Sequence, residues 1–263
     1  MGRGFGIAAA VDNETVKIVA KAAEEAGYGS FWVNDTQGAD GLECLREAAS
    51  VTESIKLGVG VIPIGRRPAG SIADDVLRYD LPQDRLWLGI GSPGPKGALA
   101  NARAATDTLH DRLDCAVILA ALGPRMVDLS GEIADGVLLN WITPSYSATS
   151  RERIEEAARE AGRDAPIIMS YVRAGLLPEA EDQIMVQAAA YGSFPAYAAH
   201  FERQGLEAHL TVLRGKNPAI LQAGIQEFEA VLDESVVRAI TPDDEPATIL
   251  KLLDACKPSA ASA

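Results

Sequence analysis

Eight apolar runs punctuate the chain, beginning at Phe5, Ser30, Ile55, Leu86, Cys115, Gly136, Pro166 and Ser235, and their cadence constrains the fold more than any other feature. The first seven starts lie 21 to 31 residues apart. That interval accommodates one strand, one helix and two turns, repeated without a break. The runs themselves (FGIAAAV, SFWVND, IKLGVGVIPI, LWLGIGS, CAVILAAL, GVLLNW, PIIMSYV and SVVRAI) are close to continuously apolar, as parallel strands buried on both faces must be. Strand-helix alternation of this kind over 263 residues predicts an α/β protein, a single (β/α)8 TIM barrel, a fold that typically needs about 250 residues. The helices are legible as well. Asn13 can cap one whose Val16, Val19, Ala20 and Ala23 share a face, and Thr143-Pro144 opens another ending at Ala161-Gly162.

The cadence fails once, between Pro166 and Ser235, a gap of 69 residues. Its content, about 179–233, is Ala-rich and helically periodic, with AAAY, YAAHF and LTVLR blocks separated by Gly192-Ser193, Gly205 and Lys216-Asn217-Pro218. The expectation is an insertion of three or four helices between the seventh and eighth strands, at the barrel mouth. There it can line a pocket or make the interface of a homo-oligomer, a dimer in the simplest case. Residues 1–263 read as one domain, with a flexible tail at about 258–263.

Composition narrows the partners. The formal charge is −13, and no basic cluster is longer than Arg66-Arg67, so nucleic acid is excluded as the main partner. Cys44, Cys115 and Cys256 are too widely spaced for a C-x-x-C motif, which fits a reducing compartment. No apolar stretch approaches the roughly 18 residues of a membrane span, and no charged leader precedes a cleavage site. A cytoplasmic protein with no membrane partner is expected. His110, His200 and His209 have no metal-binding spacing, so no metal site is expected, and neither a P-loop nor a nucleophile elbow occurs.

Candidate site residues lie where the runs end, because barrels keep their chemistry at the carboxyl ends of strands. The segment Cys115–Trp141 is a strand, a helix and a strand in succession. Gly123 breaks the first strand and Pro124 suits the first helical position. Leu122, Gly123, Pro124, Arg125 and Met126 thus form a helix start whose free N–H groups suit a phosphate; the competing reading is a plain helix cap with Arg125 in solvent. Gly89, Gly91 and Ser92 end the fourth run, where glycine lets backbone N–H groups approach an anion, though tight barrel corners need glycine too. Two glycines and a proline in Gly58-Val59-Gly60-Val61-Ile62-Pro63 predict a bulge near the mouth. Arg66 and Arg67 read either as an ion-pair cluster with Asp74 and Asp75 or as contacts to an anionic cofactor tail. Asn34 and Asp35 end the second run, and Asn140 and Trp141 the sixth. Asp35 suits a proton donor in an apolar mouth or an acceptor of N–H bonds in the turn NDTQG, and Trp141 an apolar wall.

The segments AALGPRMVDLSGEIADGVLLNW, LWLGIGS and LGVGVIP resemble the fifth-to-sixth strand unit, the fourth strand and the third strand of the luciferase-like monooxygenase superfamily, in particular its deazaflavin-dependent oxidoreductases. The resemblance runs from Phe5 to about Lys257. It implies a barrel that binds coenzyme F-420, or alternatively FMN, at its carboxyl face. It also implies a non-prolyl cis peptide at Gly60-Val61 behind the ring, and cofactor contacts from Asn34, Gly60, Val61, Gly89, Gly91, Ser92 and Leu122 through Met126. One departure stands out: the histidine expected just after the second strand is absent, which leaves Asp35 and Trp141 as the catalytic candidates. The implied function is hydride transfer between a deazaflavin and a small organic substrate. The alternatives are an FMN-dependent monooxygenase and a flavin-binding relative without turnover. A Schiff-base barrel would need a lysine at a strand end, whereas Lys17 and Lys56 lie at helix and strand starts.

Overall fold

The computed structural model describes residues 2–8, 11–91 and 96–259. Its elements run β1 (Gly2–Gly6), α1 (Asn13–Glu25), β2 (Ser30–Val33), α2 (Gly41–Ala49), β3 (Lys56–Pro63), α3 (Ala69–Arg78), β4 (Leu86–Gly91), α4 (Ala98–His110), β5 (Ala116–Ala120), α5 (Pro124–Ile133), β6 (Gly136–Asn140), α6 (Pro144–Glu160) and β7 (Ile167–Leu176). They continue with α7 (Glu181–Gly192), α8 (Pro195–Gln204), β8 (Leu213–Gly215), α9 (Pro218–Glu229), β9 (Glu234–Ala239) and α10 (Pro246–Ala255). Strands β1 to β7 pair in sequence order, β7 pairs with β9, and β9 returns to β1, every pair parallel. This is a closed eight-stranded parallel barrel with helices around it, a TIM barrel, as the cadence predicts.

Three local expectations need correction. The first strand begins at Gly2, not Phe5, because its polar-looking start is part of the barrel. Arg3 leaves the strand to pair with Glu229 at 2.8 Å and to donate to the Cys256 and Lys257 carbonyls. The cap of α1 is Asp12, whose carboxylate accepts from the Thr15 N–H at 2.7 Å, so Asn13 is already the first helical residue. In the long gap, the LTVLR block is not helical. Residues Ala208–Thr211 form a 3-10 turn, and Leu213–Gly215 become β8. The cause is the length of β7, which runs ten residues and leaves Ala174–Leu176 beyond the end of β6; β8 pairs with that overhang. The helix α9 then occupies the ordinary place of a barrel helix between β7 and β9. The insertion proper is α7, α8 and β8.

Inside the barrel, side chains two residues apart on a strand stack in layers. The Cα partners Met169 and Glu234, Tyr171 and Val236, and Arg173 and Arg238 climb β7 and β9 in step. In the lowest layer, the Ser30 hydroxyl donates to Glu234 at 2.5 Å and accepts from the Trp32 indole at 2.8 Å. Trp32, Leu138, Tyr171 and Val236 form an apolar middle layer with Ile118 and Met169. Gly58 admits the Trp32 ring: a Cβ there would lie 2.2 to 2.4 Å from three ring atoms. The top layer, at the strand carboxyl ends, is polar. Among the described residues no helix is long and apolar enough to cross a membrane, no group of side chains could hold a metal ion, and the three cysteines are free and buried.

Candidate active site

The top layer is organised around the bulge of β3. Pairing with β4 shifts register between Val59 and Ile62, and the Gly60–Val61 peptide is cis, at the bond where the resemblance implies one. Gly60 faces Tyr171, whose hydroxyl would lie 2.3 Å from any Cβ at that position. The same hydroxyl donates to the Val33 carbonyl at 3.4 Å. Asn34 finishes the scaffold: its Nδ2 donates to the Gly60 carbonyl at 2.5 Å and its Oδ1 accepts from Arg238 Nε at 3.0 Å. The bulge is therefore held from β2, β7 and β9 at once.

Across the mouth stands a second guanidinium. Arg173 donates to Asn140 Oδ1, and Asn140 in turn donates to the Tyr197 hydroxyl at 3.1 Å. The guanidinium lies 4.2 Å from the Trp141 ring centre and 5.0 Å from that of Tyr191. Trp141 has a positive φ of 51° and is buried among Tyr191, Phe201 and Ile240. Its carbonyl accepts from His200 at 3.0 Å and from Gln204 at 2.9 Å. Helices α7 and α8 thus supply an aromatic cover, and the insertion lines the mouth.

Few of these groups can exchange protons near neutrality. Burial pushes the Tyr197 hydroxyl up to about 12 and drives Tyr171 higher still. Burial pushes His200 down to about 4, which leaves it neutral at pH 7. Arg173 is lowered to about 10, by burial first and by the neighbouring Arg238 charge, and stays cationic.

Asp35 sits outside this layer. It pairs with Arg66 and, at 3.4 Å, with Arg67, and it accepts the Gly41 N–H at 3.0 Å, so it anchors the start of α2. Arg67 also binds Asp40 at 3.0 Å and Asp75 at 2.6 Å, while Asp74 pairs with Arg112 at 2.7 Å. Both guanidiniums and the Gly41 N–H donate to the Asp35 carboxylate, which leaves it the acceptor of this cluster. Of the expected ion-pair partners of Arg66 and Arg67, Asp75 is in the cluster and Asp74 is not, while Asp35 and Asp40 join it.

The start of α5 remains open. Gly123 is its N-cap, no side chain caps it, and a Cβ at Gly123 would meet nothing within 4 Å. The Gly123 carbonyl accepts from Met126 and Val127 at 3.0 Å each. Pro124 and Arg125 are exposed, and Leu122 is partly so. Gly89 serves packing instead. A Cβ there would lie 2.0 Å from the Val59 carbonyl, so the glycine lets β4 pass the bulge. Gly91 lies against Val61, 2.9 Å from the nearest methyl to a Cβ, with Ala120 beyond. Ser92 lies outside the described residues.

A flavin-type cofactor fits these residues in two respects. The bulge places Val61 and Gly91 side by side at the mouth, and at the uncapped helix start the N–H groups of Gly123 and Arg125 suit a phosphate, since Pro124 has none and those of Met126 and Val127 donate to the Gly123 carbonyl. The groups that sequence reasoning missed are Tyr171, Arg173, Tyr191, Tyr197 and Arg238. Only the two arginines left a signal, as single charges near the carboxyl ends of apolar strands.

A sequence profile of the luciferase-like monooxygenase family matches residues 6–114 and 104–255. A 5,10-methylenetetrahydromethanopterin reductase of Methanolobus tindarius is 28% identical over 199 residues, 61% of each chain. The enzyme of the same name from Methanopyrus kandleri is 26% identical over 215 residues, 60% of this chain and 61% of its own. The match thus spans about three-fifths of these curated relatives. Among solved structures, the coenzyme F420 dependent tetrahydromethanopterin reductase from Methanopyrus kandleri superposes with a TM-score of 0.76 at 20% identity, covering 95% of this chain and 96% of the other. An F420-dependent secondary alcohol dehydrogenase in complex with an F420-acetone adduct gives 0.74 at 15% identity, with 98% and 100% covered. The oxygenating constituent of 3,6-diketocamphane monooxygenase from Pseudomonas putida, in complex with FMN, gives 0.66 at 13%, with 98% and 97% covered. At these identities the structural likenesses establish the fold.

Proposed function

Because the chain belongs to the luciferase-like monooxygenase family, we propose that it is a deazaflavin-dependent oxidoreductase that exchanges hydride between coenzyme F-420 and a small organic substrate. The observation that carries this reading is the pairing of sequence similarity to two methylenetetrahydromethanopterin reductases with a mouth built on the Gly60–Val61 bulge. When bound, the deazaflavin supplies the hydride donor or acceptor. The chain's own residues bind, orient and shield. Val61 offers an apolar support for one ring face, and Asn34 and Tyr171 hold that support in place. The open start of α5 at Gly123 to Met126 takes the phosphate. Trp141, Tyr191 and Tyr197 pack ring against ring at the mouth and would exclude water from it. We assign any proton that accompanies hydride transfer to water or substrate: burial pushes the Tyr171 and Tyr197 hydroxyls further above neutrality and His200 down to about 4, and Asp35 is bonded to two guanidiniums.

The test is a pair of titrations of the purified protein with coenzyme F-420 and with FMN, followed by cofactor fluorescence. Saturable binding of F-420 with weaker or absent binding of FMN is expected. Preference for FMN would replace this reading with a flavin monooxygenase, and binding of neither would remove both.

A further inference from the structure

The mouth holds two buried guanidiniums that no carboxylate neutralises. Arg173 is 4% exposed and Arg238 8%. Both belong to a chain with 37 acidic residues, yet among the described residues neither forms an ion pair. The residues left undescribed, 1, 9–10, 92–95 and 260–263, include no Asp or Glu. Arg85 and Arg3, the other buried arginines, are satisfied differently: Arg85 spends its donors on Thr52 and on the Ala49, Thr52 and Ile55 carbonyls, and Arg3 has Glu229.

Register places the two side chains together. Arg173 and Arg238 are Cα partners on adjacent strands and point to the same face, one layer above Tyr171 and Val236. Two like charges in that position repel, and burial adds a desolvation cost of several kcal/mol for each unpaired ion. What holds them is neutral: Asn140 accepts from Arg173, and Asn34 and the Ala239 carbonyl accept from Arg238. An amide fixes a guanidinium without consuming its charge. Arg173 Nε is buried and has no partner at all, and a second orphaned donor, Trp141 Nε1, belongs to the same packed cluster. The site is short of an acceptor that carries negative charge.

We propose that Arg173 and Arg238 form an anion clasp that takes the carboxylate of the substrate, so that the substrate class is an organic carboxylate. The assignment rests on the oxidoreductase reading for the word substrate, and on the mouth alone for the anion. Carboxylate matches the planar fork of a guanidinium, and Trp141, Tyr191 and Tyr197 furnish an apolar wall for the body of the molecule. Charge developing on a bound reduced cofactor would meet the same arginines, and the experiment separates the two sources.

Butyrate and butyramide share a shape and differ by one charge. Calorimetric titration of the cofactor-free and the cofactor-saturated protein with each is expected to give butyrate an advantage of about ten- to hundred-fold, the range of one to two charge-assisted hydrogen bonds. Arg173→Gln and Arg238→Gln should erase that advantage. Asn140→Asp, which places an internal carboxylate on Arg173 with little change of shape, should erase it too while the thermal midpoint stays at or above that of the parent. Equal affinities in the parent protein, no binding of butyrate, or an advantage that survives all three substitutions would overturn the clasp. So would variants that lose affinity for reduced cofactor alone, which would assign the arginines to the cofactor. A butyrate preference in a protein that binds neither F-420 nor FMN would sink the oxidoreductase reading and leave the anion site standing.

Discussion

Glu234 offers a pH measurement with a definite sign. It is 5% exposed in the lowest barrel layer, where burial pushes its carboxyl up to about 7, against the usual 4.5, with the Ser30 hydrogen bond opposing the shift. Between those two values the folded protein holds a proton that the unfolded chain has released. Stability therefore falls as pH rises through this window, and the contribution present below about 4.5 is gone above about 7. A displacement of this size corresponds to roughly 3 kcal/mol at 1.36 kcal/mol per pKa unit. Glu234→Gln keeps an acceptor for Ser30 and cannot ionise. Its stability relative to the parent, from urea unfolding at pH 5 to 8, should rise by about 2–3 kcal/mol across the range. Taking the difference between the two proteins cancels other groups, such as Glu24, whose carboxyl the Ser54, Ile55 and Glu53 N–H bonds hold near 2 despite partial burial. A difference that stays flat with pH would mean that Glu234 is charged in the folded state, and the reasoning from burial would fail.

Other substitutions test the remaining parts. Gly58→Ala forces a methyl into the Trp32 ring, 2.2 to 2.4 Å away in the present packing, and should cost about 1–3 kcal/mol of unfolding free energy as an overpacked core does; no loss would mean that Trp32 has room to move. Gly123→Val enters open space but puts a poor residue at the N-cap of α5, so stability should fall by no more than about 1 kcal/mol while cofactor affinity drops about ten-fold. An unchanged dissociation constant would remove the α5 start from the phosphate site. Asp35→Asn strips the charge facing Arg66 and Arg67 and should lower stability by about 1–3 kcal/mol without moving the pH profile of turnover. A shifted profile would restore Asp35 as an acid.

The cadence of apolar runs carried the barrel because each unit buries its own strand, and that periodicity is local. Capping at Thr143 and the helix start at Pro124 were equally local and fall where expected. Legibility ended where a residue's role depends on partners far along the chain. Asp35 looks like an exposed acid beside an apolar strand, and only folding brings Arg66 and Arg67 to it. Gly89 and Gly91 look alike in LWLGIGS, yet one faces the Val59 carbonyl and the other a Val61 methyl, a difference created by the bulge on the next strand. The block Leu210–Arg214 has strongly apolar residues at either period, and the unpaired overhang of β7 decided its state.

The two polar ends of the barrel interior show how a structural layer differs from one built for a ligand. Ser30 on β2 and Glu234 on β9 make the one below the apolar layer, and Arg173 on β7 and Arg238 on β9, with Asn34 just past β2, make the one above it. Below, the polar atoms close on one another: Trp32 donates to Ser30, Ser30 donates to Glu234, and none of the three has an orphaned buried side-chain atom. The carboxyl there can also shed its charge by taking up a proton, since its pKa has risen to about 7. Above, a guanidinium has no such escape, for even at a lowered pKa of about 10 Arg173 remains charged at neutral pH. Its neighbours are amides and rings, which orient it and leave its charge unmatched. A layer that completes its own hydrogen bonds stabilises the fold whether or not anything binds. One that stays cationic and under-paired reaches its lowest free energy only when an anion arrives, and this one lies at the carboxyl ends of the strands, where a barrel admits ligands.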